Sequence, residues 1–567
     1  MTIEEKIKYW DSAVFDADTQ QELQQLKQSP KLLEDAFYKD LSFGTGGMRG
    51  IMGVGTNRIN KYTLARCTQG LSNYLHEQFP TIPPKVVIAY DSRHNSQSLA
   101  TEVAAVFAAN KVEVFLFTDL RTTPELSFAV RNLKAQAGIV LTASHNPPAY
   151  NGYKVYWEDG AQIVGPHDEQ IMDRIAKVEY RDLKFDPPKA TIHPIDLEID
   201  KAYQKTVLGL LPKPAKNPSN LKIVFTPLHG TAITAIPSVL EAAGFEHVSI
   251  VKDQMHPDGA FPTVESPNPE ERKALSMAIE QAGKEKADII IGTDPDCDRL
   301  GVGFRTHEGK YELLNGNQLM ILMTDYVLER LQYKRKLPKR SFIASTIVST
   351  PLMESIAKHY GIEYVETLTG FKWIADAIEK KSRYRFLCGG EESYGFLLGT
   401  AVRDKDAVSA ALLAAVLASD LKSKGITFQE QLIHCYGKYG FRYEKLLSLK
   451  KEGIEGARAI ENMMQQYRTN PPSSFGGKKI IKVSDYLKKT ELNLINKESK
   501  SIALPASNVL LFEMENGSRV ALRPSGTEPK IKFYLSASSY YEEAISWEDN
   551  MNQIQFQLKA LEKDLQL

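Results

Sequence analysis

AGIVLTASHNPPAYNGYKVY, residues 137 to 156, opens with five apolar residues and then turns polar. The apolar run reads as a strand buried on both faces. It empties into a serine, a histidine, an asparagine and a proline, and Lys154 follows ten residues after Ser144. Ligands of open α/β sheets bind outside the carboxyl ends of the strands, so a polar loop there is a place for chemistry. Two other stretches share this form: ADIII runs into GTDPDCDRLG at Gly292, and RFLC runs into GGEESYGF at Gly389.

Outward from these loops, strands alternate with helices. VVIAY precedes a helix through LATEVAAVFAAN, and VEVFLF and GIVLTAS follow. A second series runs from LKIVFTPLHG to LGVGF, and a third comprises FIAST, a helix through PLMESIAKHYG, and RFLCGGEESYG. The alternation predicts parallel sheets with helices on their faces. The tail differs, with strands NVLLFEM and SRVALRP after a loop at NPPSSFGGKK, then the amphipathic helix SWEDNMNQIQFQLKALEKDL. The first forty residues read as helix with Trp10, Phe15, Leu23 and Leu26 on one buried face. GLLPKPAKNPSN, residues 209 to 220, reads as a linker. The expected fold class is α/β: four domains around a central cleft, three similar mixed α/β sheet domains plus a C-terminal α+β domain. The expected boundaries are 1–208, 209–320, 321–450 and 451–567.

At 567 residues the chain is too long for one core, and about 150 residues per domain gives three or four. It carries 70 basic and 70 acidic residues, so no global field draws it to nucleic acid or an anionic membrane. A small charged substrate, which feels only a cleft's local field, remains open. Cys67, Cys297, Cys388 and Cys435 have no CxxC spacing, which argues against a disulfide framework or a zinc site and for a reducing compartment. MTIEEKIKYW has charges where a signal peptide needs an apolar core. The run AVSAALLAAVLAS from Ala407 is far shorter than the ~20 residues that span a bilayer. A cytoplasmic protein without membrane or nucleic-acid partners is expected, with monomer and dimer both open.

GTDPDCDRLG places Asp294, Asp296 and Asp298 at alternate positions, hard oxygen donors suited to Mg²⁺ shared with a substrate phosphate. A calcium EF-hand needs Gly sixth and Glu twelfth, where Arg299 and Arg305 stand. A solvated acidic turn is the bland alternative, weakened by repulsion among three carboxylates beside a buried strand. SHNP is ambiguous alone. Adjacent residues on extended chain point oppositely, so His145 is a poor base for Ser144, and no G-x-S-x-G elbow exists. A solvent-facing Ser144 can still carry a phosphoryl group, with Lys154 acting on a substrate hydroxyl or balancing charge; an ordinary Asn-Pro turn is the alternative. Glu391, Glu392 and Ser393 in GGEESYGF suit sugar hydroxyls, and adjacent glutamates are poorly placed for glycoside hydrolysis. RPSGTEPK, from Arg523, combines a guanidinium, hydroxyls and glycine in an anion cradle or a plain hairpin turn. Neither G-x-x-x-x-G-K-[ST] nor G-x-G-x-x-G occurs.

Together these loops resemble the α-D-phosphohexomutase family over nearly the whole chain. TASHNP resembles its phosphoserine loop, GTDPDCDRLG its metal loop, GGEESYG its sugar-specificity loop and RPSGTEP its phosphate-binding loop. FGTGGMRG resembles its first arginine segment, pointing to Arg49. FGTGGMRG, NGYKVYWEDGAQI and ETLTGFKW are most similar to the branch of phosphoglucomutase-2-type enzymes, which includes phosphopentomutases. The resemblance implies a phosphorylated Ser144 beside Mg²⁺ held by Asp294, Asp296 and Asp298, with glucose 1,6-bisphosphate as intermediate and activator. It implies Lys154 as general base or acid, Arg49 and Arg299 stabilising charge, and His145 and Asn146 shaping the pocket. Thr369, Gly370 and Lys372 would line the third domain's side, and Glu391 and Ser393 would read sugar hydroxyls. Arg523, Ser525, Gly526 and Thr527 would hold the phosphate that is not reacting. Cys297 stands where many members carry Ala or Gly, and alternation predicts that its side chain points away from the metal.

The implied activity interconverts glucose 1-phosphate and glucose 6-phosphate, with small-molecule sugar phosphates as partners. A phosphomannomutase or phosphopentomutase on the same scaffold is the nearest alternative. A metal-dependent sugar phosphatase and a non-catalytic binding homologue are further ones, the last disfavoured because Ser144, Lys154 and all three aspartates are present.

Overall fold

The computed structural model describes residues 1–44, 46–187, 191–211, 220–451, 453–525 and 530–565. The chain forms two units. The first comprises Met1–Gly316, Phe371–Ser382 and Phe386–Thr427, and the second Asn317–Gly370, Arg383–Arg385 and Phe428–Leu567.

In the first unit, VVIAY and AGIVL become the strands Lys85–Tyr90 and Ala137–Leu141, parallel neighbours at the centre of a six-stranded sheet. Glu113–Phe117 and Ile192–Ile195 extend it in parallel on one side. On the other side the sheet departs from the parallel expectation. Tyr150–Trp157 doubles back antiparallel to Ala137–Leu141, and Gly47–Ile51 joins antiparallel at the edge. A loop of eight residues is too short for the helical crossover that a parallel neighbour needs. Helices Lys61–Gln78 and Ser96–Ala109 pack on the sheet, with Leu64, Phe107, Val86, Ile139 and Tyr153 in one core.

A second sheet repeats this logic. Lys222–Thr226, His247–Ile250 and Ile289–Thr293 are parallel, and Leu300–Arg305 and Tyr311–Leu314 complete it antiparallel. Arg385–Glu391 turns back in the same way into Gly395–Leu398. Each of the three stretches singled out in the sequence is therefore the loop of a β-hairpin. The run at Ala407 is the helix Ala407–Lys424, buried on every side from Ala407 to Leu421 and capped by Asp406. An all-round apolar helix of this kind belongs inside a core. Among the described residues no helix is long and apolar enough to cross a membrane.

The N-terminal helical reading resolves into three helices, Ile3–Trp10, Ala17–Leu26 and Pro30–Phe37. The breaks have local causes: the Asp16 side chain caps the second helix, and Pro30 starts the third. Trp10, Phe15 and Leu23 are buried as expected, and Leu26 is partly buried against them.

In the second unit, Ser341–Thr346 and Glu363–Thr367 pair in parallel across the helix Leu352–Tyr360. The C-terminal part is an antiparallel sheet ordered Phe441–Lys450, Lys530–Ser539, Arg519–Pro524, Leu510–Met514, Lys478–Asp485, Thr490–Asn493 and Ser499–Ser501. The boundary expected at 450/451 falls just after the first of these strands. Trp547–Lys563 is amphipathic as expected and buries Ile554, Leu558 and Leu561. NPPSSFGGKK contains a tight turn, because Ser474–Phe475 pairs with the start of Lys478–Asp485 across Gly476 and Gly477, both at positive φ. Residues 212–219 of the expected linker lie outside the described residues.

Gly152 lies between two neighbouring backbones: a Cβ there would meet the Thr142 carbonyl oxygen at 2.4 Å and that of Met48 at 2.7 Å. Gly152→Ala should force the three strands apart at a cost of about 1–3 kcal/mol, read as a lower urea midpoint. An unchanged midpoint would show that the sheet yields without penalty.

Candidate active site

Ser144 adopts a left-handed backbone, φ 52°, which costs energy in a residue with a Cβ. Hydrogen bonds around it hold that conformation. The Ser144 amide donates to Thr142 Oγ1 at 2.8 Å. Arg93 spreads its guanidinium under the loop, donating to the carbonyls of Ser144 at 2.5 Å, Pro147 at 2.9 Å and Tyr150 at 3.1 Å, and also to that of Asn146. Arg93 is itself ion-paired to buried Asp91 at 3.3 Å. A guanidinium with five fixed donors suits such a cluster of carbonyls.

This turn corrects two expectations. Ser144 is only 3% exposed rather than solvent-facing. The Ser144 hydroxyl and His145 Nδ1 lie 3.2 Å apart, because opposed side chains require extended backbone, which Ser144 does not have. The hydroxyl donates to Asp294 Oδ2 at 2.6 Å. Arg49, on the edge strand opposite Gly152, donates to Asn146 Oδ1 at 2.8 Å.

Asp294, Asp296 and Asp298 offer ligand oxygens that all lie within 4.8 Å of one another, and all three are buried. Asp294 Oδ1 accepts from the amides of Asp298 and Arg299 at 3.1 and 3.0 Å, which folds the loop around it. Lys154 donates to Asp296 Oδ2 at 2.6 Å and Asp298 Oδ2 at 3.0 Å. Burial, then the charges of Asp296 and Asp298, holds the Asp294 carboxyl well above the ordinary range. Burial and Asp298 also push Asp296 up, but Lys154 outweighs them and the carboxyl lies below its usual range. Burial pulls Lys154 down, but Asp296 and Asp298 outweigh it and raise its pKa, so Lys154 is a cation here. Asp296 Oδ1 and Asp298 Oδ1 are buried without a hydrogen-bond partner. Buried anionic oxygens left open are costly, and clustered hard donors of this kind fit a divalent cation. The Cys297 thiol is outside the ligand group. Its backbone is left-handed at φ 58°, so simple alternation is not what places it.

Arg299 ion-pairs with Glu270, and its Nε lies 3.9 Å from Asp298 Oδ1. The hairpin that carries Asp294, Asp296 and Asp298 meets the Glu391 hairpin directly: the Leu300 amide donates to the Tyr394 carbonyl at 3.0 Å. Glu391 is buried at the end of its strand, opposite Gly395, and Ser393 is half-buried in the turn. Burial first, then the Glu392 charge, overcomes Lys405 and pushes Glu391 up to about 7. Lys372 is buried beside the Trp373 ring, and burial brings its pKa down to about 8.

Thr369, Gly370, Arg523 and Ser525 belong to the second unit. Gly370 has φ 110° ahead of the helix Phe371–Lys380. Arg523 stands opposite Lys532, and the Ser525 amide donates to the Lys530 carbonyl at 2.7 Å. Gly526 and Thr527 lie outside the described residues, as does Thr45 of FGTGGMRG.

Three contributors were missed in the sequence. Lys405 lies 3.2 Å from Asp298 Oδ2 and 3.2 Å from Asp404 Oδ1. Its stem crosses Gly395, where a Cβ would be 2.2 Å from Lys405 Cδ. Thr123 donates from Oγ1 and N to Asp296, each at 2.9 Å. Arg93 is the third. The charged string VRDKDA before an apolar helix was a usable signal for Lys405, whereas Thr123 and Arg93 carry no local one.

The chain matches the phosphoglucomutase/phosphomannomutase family models over residues 40–182 (alpha/beta/alpha domain I), 201–308 (domain II), 315–439 (domain III) and 481–551 (C-terminal domain). It is 41% identical over 520 residues to a phosphoglucomutase of Staphylococcus epidermidis, covering 90% of this chain and 93% of that one. It is 41% identical over 511 residues to one of Staphylococcus aureus, covering 88% and 90%. Among solved structures, Paramecium parafusin, a phosphoglucomutase in an open form, superposes with a TM-score of 0.68 at 18% identity, covering 93% of this chain and 95% of that one. A Burkholderia thailandensis phosphoglucomutase/phosphomannomutase family protein superposes with 0.65 at 19% identity, covering 92% and 97%. At such identities these two speak for the fold.

Glu391 yields a stability test. Its folded pKa of about 7 exceeds the ordinary 4.5, so the native state binds that proton more tightly. The contribution is full below 4.5 and disappears as pH rises through 7. Glu391→Gln, neutral at every pH, should gain on wild type from pH 5 to pH 7.5, by roughly 1–3 kcal/mol. Parallel urea midpoints would refute the shift.

Proposed function

The chain belongs to the phosphoglucomutase/phosphomannomutase family, and from that premise we propose that it interconverts glucose 1-phosphate and glucose 6-phosphate through a phosphorylated Ser144. One observation carries the reading: the Ser144 hydroxyl lies 2.6 Å from an aspartate of a buried three-carboxylate cluster that also holds Lys154.

The phosphoryl group on Ser144 Oγ passes to the free hydroxyl of a bound sugar monophosphate. The bond from phosphorus to Ser144 breaks as the bond to the sugar oxygen forms, and the proton lost by the sugar hydroxyl is balanced by the one Ser144 regains. The product is glucose 1,6-bisphosphate, and the reverse transfer from its other position rephosphorylates Ser144. Such transfers depend mainly on positioning and charge. Asp294, Asp296 and Asp298 would hold Mg²⁺, which supplies positive charge to the phosphoryl oxygens. Lys154, kept cationic by its carboxylate neighbours, suits charge balance and proton donation better than proton abstraction. Arg49 and Arg299 add charge, Asn146 holds Arg49, and His145 hydrogen-bonds the nucleophile. Glu391 and Ser393 read sugar hydroxyls, with Lys372 on the same unit. Thr369, Gly370, Arg523, Ser525, Gly526 and Thr527 are proposed as substrate contacts from their motifs alone. Four free, buried cysteines suit the cytoplasm.

Intact-protein mass spectrometry should find a phosphoryl adduct mapping to Ser144, and Ser144→Ala should abolish turnover while keeping the fold. Normal interconversion by Ser144→Ala would overturn the mechanism. Chelation should remove activity, with Mg²⁺ restoring it, and Asp296→Ala should resist that rescue. Comparing kcat/KM for glucose, mannose and ribose 1-phosphates tests the substrate, and a ribose preference would favour a phosphopentomutase.

A further inference from the structure

The three N-terminal helices lie wholly before the first matched family domain, which begins at residue 40. They meet the rest of the chain at Lys61, Tyr62 and Tyr180, and along the segment that follows the first strand. After the edge strand Gly47–Ile51, which carries Arg49, residues 52–60 form a closed loop: the Ile59 amide donates to the Ile51 carbonyl at 2.9 Å, and Asn60 Nδ2 donates to the carbonyls of Gly53 and Gly55 at 2.9 and 3.0 Å.

The helical layer grips this loop along its length. The Val54 amide donates to Glu22 Oε1 at 3.2 Å, and the Asn57 amide to the Ala36 carbonyl at 2.9 Å. Arg58 pairs with Asp35 at 2.6 Å. Gly55, at φ 129°, lies so close that a Cβ would be 2.5 Å from the Ala36 carbonyl oxygen. Behind these contacts Trp10 stacks on Phe15 with ring centroids 4.3 Å apart, and Val54 and Tyr62 share their core. Leu41 joins the same grip: its amide donates to the Thr56 carbonyl at 2.7 Å, and its Cδ1 lies 3.1 Å from where a Gly50 Cβ would stand.

Arg49 therefore sits on the edge strand of its sheet, which among the described residues pairs along its length with Tyr150–Trp157 alone and whose continuation is held by the helical layer. We propose that this layer is a positioning device for Arg49: it fixes the 52–60 loop, and through it the height of the Gly47–Ile51 strand over Asn146 and the Ser144 loop, without touching substrate. The proposal rests on the mutase reading for its kinetic consequences only. An arginine misplaced by about 1 Å costs up to 10²-fold in rate, so the effect belongs in kcat.

The test is a double-mutant cycle on the full chain with glucose 1-phosphate. Gly55→Ala should lower kcat by about tenfold and move KM by less than about twofold. In an Arg49→Ala background the same change should cost less than about twofold more, because the loss already occurred. Glu22→Ala with Asp35→Ala, which leaves the apolar layer whole, should follow the same pattern at about threefold and covers the case in which Gly55→Ala does not fold. Losses that add in the Arg49→Ala background, or wild-type kcat in the variants, would overturn the proposal. Hydrogen exchange of the Gly47–Ile51 amides reads the coupling without turnover. It should quicken in the variants, and unchanged exchange would also overturn it. Wild type that fails to interconvert the sugar phosphates fails the mutase reading instead, and exchange still decides this one.

Discussion

Three carboxylates buried within 4.8 Å of one another are the demand around which the first unit is organised. Removing such charges from water is expensive unless cations and donors meet them. Lys154 comes from the first sheet, Lys405 from the segment before a buried helix, Thr123 from a helix start, and two backbone amides from the aspartates' own loop. Each donor arrives on a different element, so satisfying the aspartates fixes those elements against one another. What remains unsatisfied, one oxygen each of Asp296 and Asp298, is the part a cation would complete.

The same economy explains the hairpins. A strand that ends in a chemical loop and returns antiparallel delivers the loop and its counter-charge within a dozen residues. Ser144 and Lys154 lie on the loop and return strand of one hairpin, and Asp298 and Leu300 on those of another. Arg93 supplies what the first hairpin lacks, since its turn exposes carbonyls that no strand can pair. Ser144 is thereby held in a conformation its side chain would otherwise avoid.

Much of this was legible along the chain. The apolar runs at Ala137, Ile289 and Arg385 became strands, the loops after them meet one another, and the amphipathic tail became Trp547–Lys563. Errors arose where an extended backbone was assumed. Ser144 and Cys297 both turn left-handed, so alternation misjudged the distance from His145 to the Ser144 hydroxyl and is not what places the Cys297 thiol. The single helical stretch at the start was split by Asp16 and Pro30, local punctuation that a hydrophobic count overlooks.

Periodicity, short motifs and charge spacing are local properties, and they were enough for the α/β class and for singling out three aspartates, Ser144 and Lys154, which the fold brings together. Arg93, Thr123 and Lys405 reach the site across 51, 173 and 107 positions of chain, and no spacing rule connects residues so far apart. Only the folded sheets bring those groups within hydrogen-bond distance, because the energy that selects them, the cost of burying charge without a partner, exists only once the core has closed.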